Sequence, residues 1–547
     1  MMRRVFLAAA LLVAAPAAAI PPLPPPAPPA PPPRLLIVIS VDQLSSDLWD
    51  EYRPQFTAGL AKLASGTVFR NGYQSHAATE TCPGHSTILT GMRPARTGII
   101  GNVWIDQSLS RSDKSVYCGE DERVPGSSSS AYTASPLHLR VPTLGELLKR
   151  RSAASLNVAV AGKDRSAIMM AGHLADQRWY ATGTGFATDL KSAVVPRTIA
   201  AVNGVVQRTV AMPREPLDPP PFCAAKSQVI AIEGGGKPVG SGRFARAAGD
   251  AAAFRASPEF DAAVLALSAA LVQELRLGAD TAPDVLSIGL AGTDYVGHTY
   301  GTGGQEMCLQ LHSLDRDLGD FFARLDGWGI DYAVALTSDH GGLDIPERLR
   351  LRGIAGAARV DRALAASAIG KTIAAKLNLS GPVMLGDFSG DVYLDRSLRP
   401  AERARALTEA LAIYRGHPQV EGAYSREQIM RTPMPASTPD RWSVIERVRA
   451  SFDPERSGDI VVVLKPNITP VADTSRYIAT HGSPWDYDRR VPIIFWRPQA
   501  PAVNRAEPVE TVDIMPTLAA MLAIADAAGG VDGKCLSQIH GIACLPR

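Results

Sequence analysis

Six residues of metal-ligand type fall in short segments, most of them rich in glycine. Asp294 and His298 stand four apart in GTDYVGH, a spacing at which one turn of helix or a tight loop directs both side chains at one ion. Asp339 and His340 are adjacent in TSDHGG. Neighbours on a strand point opposite ways, so this pair shares an ion only where the backbone bends, and Gly341-Gly342 permits that bend. His481 in THGSPWD is expected to work the same way, with Gly482 allowing close approach, and Asp42 ends the apolar run LLIVISV. Taken singly, each has a structural reading: Asp42 as a helix N-cap, Asp294 as a turn residue, each histidine as a satisfied polar group. Taken together, three carboxylates and three imidazoles suit two zinc ions better than magnesium, which prefers oxygen ligands and retained water. Two such ions activate a nucleophile and stabilise the leaving oxygen of an in-line displacement.

The nucleophile is sought in HAATETCPGHSTILTG, residues 76–91, a loop followed by a helix-like run that Pro83 marks near its start. Thr81 then sits at the positive end of that helix, where free N–H groups and the macrodipole favour an alkoxide and an incoming anion. Cys82 is the competing nucleophile, since a thiol is intrinsically better. It has no evident basic partner and is read as packing or disulfide. His85 is read as a structural hydrogen-bonder, and so are His76, His138, His173, His312, His417 and His540.

These residues need elements that bring distant segments together. Leu35–Val41 is a β-branched apolar run ending at Asp42; Pro283–Leu290 precedes Asp294, and Tyr332–Thr337 precedes Asp339 and His340. Helical patterns at Phe260–Leu277 and Gln305–Leu325 lie among them. The expected fold is α/β, with a mainly parallel central sheet covered by helices on both faces and a site beyond the carboxyl ends of its strands. Further strands are predicted at Asn157–Ala161, Asp459–Leu464 and Val491–Trp496, and a helix at Met515–Leu522. Residues 194–257 and 355–456 have mixed patterns and are read as insertions that cap or frame the site.

The chain has 547 residues, with 56 Lys plus Arg against 54 Asp plus Glu and a net charge of +2. It is long enough for a large core, and that balance argues against a specific nucleic-acid partner. Residues 1–19 carry a basic start, an apolar stretch and a small-residue exit, the layout of a cleavable signal peptide. Residues 20–33 are a Pro/Ala-rich spacer, and the catalytic domain is expected over 34–547. Six cysteines in an exported chain make disulfides plausible, and Cys535 with Cys544 is the one pair suggested by proximity.

The motifs IVISVDQL, TETCPGHSTILTG, GTDYVGH, TSDHGG, THG and TVDIMPTL, in this order, resemble the alkaline phosphatase superfamily, and within it the bacterial periplasmic alkaline phosphatases with a threonine nucleophile (the PafA type). The resemblance implies an alkaline-phosphatase-like fold. It implies one zinc held by Asp42, Asp339, His340 and the Thr81 oxygen, a second held by Asp294, His298 and His481, and a covalent phosphothreonine. Asn102 in GNVW, and Lys163 with Arg165 in AGKDRSA, match groups that contact the phosphoryl oxygens. Extra cations there favour a monoester, which carries about one more negative charge than a diester. Related nucleotide pyrophosphatases and phosphodiesterases generally lack the basic pair. Sulfatases place a formylglycine precursor and an arginine where Thr81 and His85 stand here. The expectation is a periplasmic or secreted two-zinc phosphomonoesterase for small phosphate esters, off the membrane after signal cleavage and monomeric.

Overall fold

The computed structural model describes residues 30–191 and 194–545. The expected signal peptide and residues 20–29 of the spacer lie outside the described residues. Ten strands form the main sheet: β1 (Leu35–Val41), β2 (Thr67–Tyr73), β3 (Asn157–Ala161), β4 (Gln177–Ala181), β5 (Phe186–Ala187), β6 (Asp284–Leu290), β7 (Tyr332–Thr337), β8 (Arg490–Trp496), β9 (Val503–Arg505) and β10 (Val509–Glu510). Their order is β9-β2-β8-β7-β1-β6-β3-β4-β5, with β10 also on β2. The run β7-β1-β6-β3-β4 is parallel throughout. β8 is antiparallel to both its neighbours, and β5 is antiparallel at the other edge.

Both faces of this sheet are covered, so its central strands read as continuous apolar runs rather than alternations. In β1, Leu35, Ile37, Ile39 and Val41 pack with Leu60, Leu267, Leu271 and Leu318 from the helices Gly59–Ala64, Pro258–Glu274 and Gln305–Gly327. Leu36 and Val38 pack on the opposite face with Ile88, Leu148 and Leu518, from the helices Thr81–Ile88, Leu144–Arg151 and Ile514–Met521. The strand period of two sends alternate side chains to two separate cores.

The predicted strand at 459–464 belongs elsewhere. Ile460–Leu464 lies in a four-stranded antiparallel sheet with Val420–Ser425, Gly390–Leu394 and Met384–Gly386. That sheet has its own core, where Val392 and Val462 meet Ile369 and Ile373 of the helix Ala366–Leu377 and Ala410 and Tyr414 of the helix Pro400–Gly416. Three disulfides take up all six cysteines: Cys82–Cys118, Cys223–Cys308 and Cys535–Cys544. The second ties the short helix Pro221–Ala224 to the long helix Gln305–Gly327.

Candidate active site

The registers of the parallel strands bring their carboxyl ends level. Val41 lies opposite Leu290, Ser40 opposite Thr337, and Ala161 opposite Gly289. The next residues of four neighbouring strands therefore supply Asp339 and His340, Asp42, Asp294 and His298, and Lys163 and Arg165, side by side. Asp294 and His298 lie one turn apart on the helix Gly292–Tyr300, with His298 Nε2 3.2 Å from Asp294 Oδ1. His481 reaches the same oxygen from a distant loop at 3.4 Å. Beside them, His340 Nε2 is 3.3 Å from Asp42 Oδ1 and 3.3 Å from Asp339 Oδ2. The two triplets share a wall: the His340 and His481 rings stack with centroids 3.5 Å apart, and Lys163 Nζ is 2.6 Å from both Asp42 Oδ2 and Asp294 Oδ2.

The donor set fits two cations. His298, His340 and His481 each place Nδ1 within 2.9 Å of a main-chain carbonyl, those of Ala479, Gly341 and Thr79. A carbonyl only accepts, so Nδ1 carries the hydrogen, and in a neutral ring Nε2 is a lone pair. Burial and the neighbouring His340 push His481 down to about 3, so its Nε2 meets the Asp294 carboxylate lone pair to lone pair. Asp42 Oδ1 and His340 Nε2 are likewise buried without a hydrogen-bond partner. Burial together with the charges of Asp294 and Asp339 pushes Asp42 up to about 6. Such a site is short of positive charge, and metal ions at the two triplets would supply it.

Thr81 opens the helix Thr81–Ile88. Its Oγ1 is 3.3 Å from Lys163 Nζ and 3.5 Å from Arg165 Nη2. The helix start is seated directly on the loop that carries Asp339: a Cβ on Gly84 would stand 2.0 Å from the Asp339 carbonyl oxygen. His85 fastens the contact, with Nδ1 2.9 Å from the Thr81 carbonyl and 3.1 Å from Asp339 Oδ2. Cys82 is spent in a disulfide, which removes the competing nucleophile. Asn102 lies alongside, its Oδ1 accepting from the Cys82 N–H at 2.8 Å, which leaves its Nδ2 as donor. A cleft of about 1030 Å³ opens here, lined by Glu80, Asn102, Arg165, Asp294, His298 and His481, and also by Asp391 and Tyr393 of the second sheet and Asp387 in the turn between two of its strands.

The sequence profile of the type I phosphodiesterase / nucleotide pyrophosphatase family matches residues 36–484. The chain belongs to this family, within the alkaline phosphatase superfamily. It is 49% identical over 510 residues to alkaline phosphatase PhoK of Sphingomonas sp, covering 92% of this chain and 91% of that one. It is 45% identical to alkaline phosphatase PhoD of Zymomonas mobilis subsp. mobilis, covering 91% and 87%. The crystal structure of alkaline phosphatase PafA superposes with a TM-score of 0.80 at 25% identity, covering 93% of this chain and 99% of that one. The protein is thus a phosphoric ester hydrolase of the alkaline phosphatase type.

The phosphoesterase's glycines work differently from the sequence reading. Gly341 and Gly342 stay outside the positive-φ region; they are needed for close approach, since a Cβ would meet the Tyr487 carbonyl at 2.1 Å and the Gln43 side chain at 2.8 Å. Gly482 has ordinary space around it but takes φ +110°, a backbone conformation suited to glycine. Asp42 caps no helix; Ser45 does. Gln43 escaped the sequence reading altogether. With φ +69° it donates its backbone N–H to Asp339 Oδ1 at 3.3 Å and its side-chain amide to Asp294 Oδ1 at 3.2 Å, joining the two triplets. The only trace in the sequence is indirect: Gly297, in GTDYVGH, leaves the room that Gln43 occupies. Glu80 was also missed; partly buried, with its carboxyl pushed up by loss of hydration, it accepts the Asn102 N–H at 2.7 Å. His138, His173 and His417 sit beside carboxylates apart from the two triplets.

Proposed function

We propose that this enzyme is an exported, monomeric phosphomonoesterase that uses two zinc ions and a phosphothreonine at Thr81. The observation that carries the reading is the convergence of Lys163 Nζ and Arg165 Nη2 on Thr81 Oγ1, within 3.5 Å, beside two three-residue ligand sets. Asp42, Asp339 and His340, with the Thr81 oxygen, would hold one zinc; Asp294, His298 and His481 would hold the other. When bound, zinc supplies Lewis-acid charge that lowers the pKa of a hydroxyl or water and takes up charge on a departing oxygen.

Thr81 Oγ1 attacks phosphorus in line, losing its proton, and the bond to the ester oxygen breaks so that the alcohol leaves. Water then attacks the phosphothreonine, regenerating the threonine hydroxyl and releasing inorganic phosphate. Lys163, Arg165 and the Asn102 amide hold the remaining oxygens throughout, where charge builds up as the reaction proceeds. Buried Lys163 is kept charged by Asp294 and Asp42, which outweigh its loss of hydration.

Export is supported by the signal-like start and by three disulfides in one chain, which persist in oxidising compartments. Among the described residues no helix is long and apolar enough to cross a membrane. The family name keeps a diesterase reading in view. The test is kcat/KM of the zinc-loaded enzyme for an aryl phosphate monoester and its methyl diester, side by side at alkaline pH. A strong monoester preference is expected; a diester preference would retain the metal site and Thr81 and move the enzyme to the phosphodiesterase branch.

A further inference from the structure

The segment bearing Asn102 is tied to the nucleophile helix more heavily than a surface loop requires. Every polar group of Asn102 that faces the protein is engaged by residues adjoining Thr81 or by their covalent partner. Its N–H donates to Glu80 Oε2 at 2.7 Å, its Oδ1 accepts from the Cys82 N–H at 2.8 Å, and its carbonyl accepts from the Cys118 N–H at 3.0 Å. Cys118 is itself bonded to Cys82 through sulfur. Asn102 and Cys118 form the base of a hairpin whose arms, Val103–Ile105 and Ser115–Tyr117, pair antiparallel. The next residue from that base, Tyr117, donates its hydroxyl to Asp164 Oδ1 at 2.7 Å, between Lys163 and Arg165 in the chain.

We infer that the Cys82–Cys118 disulfide is a positioning device for phosphate recognition: it holds the hairpin base at the helix start, so that Asn102 stands fixed relative to Thr81. The inference rests on the proposed role of Asn102 as a phosphoryl contact. Both cysteines are fully buried, and the bond closes a loop of 36 residues, so it also adds stability in the ordinary way. Geometry separates the two roles. A cross-link needed for stability alone has no reason to sit on the residue after the nucleophile while its partner's N–H holds the Asn102 carbonyl.

The experiment is a double-mutant cycle on the full zinc-loaded enzyme, combining C82A/C118A with Asn102→Ala. The readouts are kcat/KM for an aryl phosphate monoester, the inhibition constant of inorganic phosphate, and Tm. The inference expects the disulfide deletion to lower kcat/KM and weaken phosphate inhibition by about tenfold in the wild-type background, with less than a twofold further loss once Asn102 is alanine; Tm should fall equally in both backgrounds. Equal losses in both backgrounds, or none in either, would overturn it. A further arm is Glu80→Ala against Glu80→Gln: the glutamine keeps an acceptor for the Asn102 N–H and should restore most of the activity, whereas equal activity of the two removes Glu80 from the device. If Asn102→Ala alone leaves phosphate inhibition unchanged, it is the reading of Asn102 as a phosphate contact that fails, and that result is seen before the cycle is closed.

Discussion

At the scale of single residues, charge governs the site. Three carboxylates, Asp42, Asp294 and Asp339, are buried within a few ångströms of one another with one ammonium among them, and three imidazoles face them through Nε2. Replacing Thr81 by alanine removes the proposed attacking oxygen, also one proposed zinc ligand, while leaving all the carboxylates and imidazoles of the site in place. Thr81→Ala is therefore expected to keep near-normal zinc content but lose about a thousandfold or more in turnover; metal analysis beside steady-state kinetics on one preparation decides it, and wild-type-like turnover would refute the assignment. The ligand types were legible in the sequence because Asp and His in strand-end segments carry an obvious chemical meaning. Gln43 was not, because its part depends on a left-handed backbone and on space left by glycines far away in the chain.

Among the elements, the start of the helix Thr81–Ile88 and the loop after β7 act as one piece. Gly84 lets the helix touch the Asp339 backbone, and no rotamer change can make room there, because the obstructing atoms are main chain. Gly84→Ala should cost about 1–3 kcal/mol of stability and also weaken zinc retention, which denaturant titration and chelator competition will show; a stable variant with full zinc would mean the helix can slide. Strand positions were legible where both faces are buried. β1, β3 and β7 fall where the apolar runs lie, and β6 starts just after Pro283, which has no N–H to give to a ladder. β2, TVFRNGY, and β4, QRWYA, mix polar and apolar residues, so the pattern did not announce them. Of the second sheet, the apolar run Ile460–Leu464 was legible, whereas Met384–Gly386, Gly390–Leu394 and Val420–Ser425, short and mixed in character, were lost in a region rich in Pro, Gly and Arg.

For the whole molecule, disulfides and buried histidines set the response to conditions. Cys223–Cys308 spans 85 residues and lies away from the reacting groups. Replacing both cysteines by alanine should cost about 4.5 kcal/mol by loop-closure entropy and leave kcat within about twofold; a large loss of kcat would bring that distant bond into the catalytic architecture. His138 is buried against Trp104 and beside Arg456, and burial followed by that guanidinium lowers it to about 3. The native state then refuses a proton that the unfolded chain takes up near pH 6.5, so this residue's contribution, present above 6.5, is lost as pH falls towards 3. Urea midpoints at pH 7 and pH 5 for wild type and His138→Gln should show the wild-type advantage shrinking at pH 5; an unchanged difference would remove His138 from the acid response.

The second sheet, with a core of its own and one side of the cleft on its surface, bears on how such enzymes diversify. The proposed nucleophile and all the proposed metal ligands but His481 lie just beyond strands of the main sheet, while a wall of the cleft is built by a unit with separate packing. Natural variation can redraw that wall without disturbing the phosphoryl chemistry, so substrate range and reaction type can evolve on separate clocks, and an engineer could graft one relative's wall onto another's catalytic base.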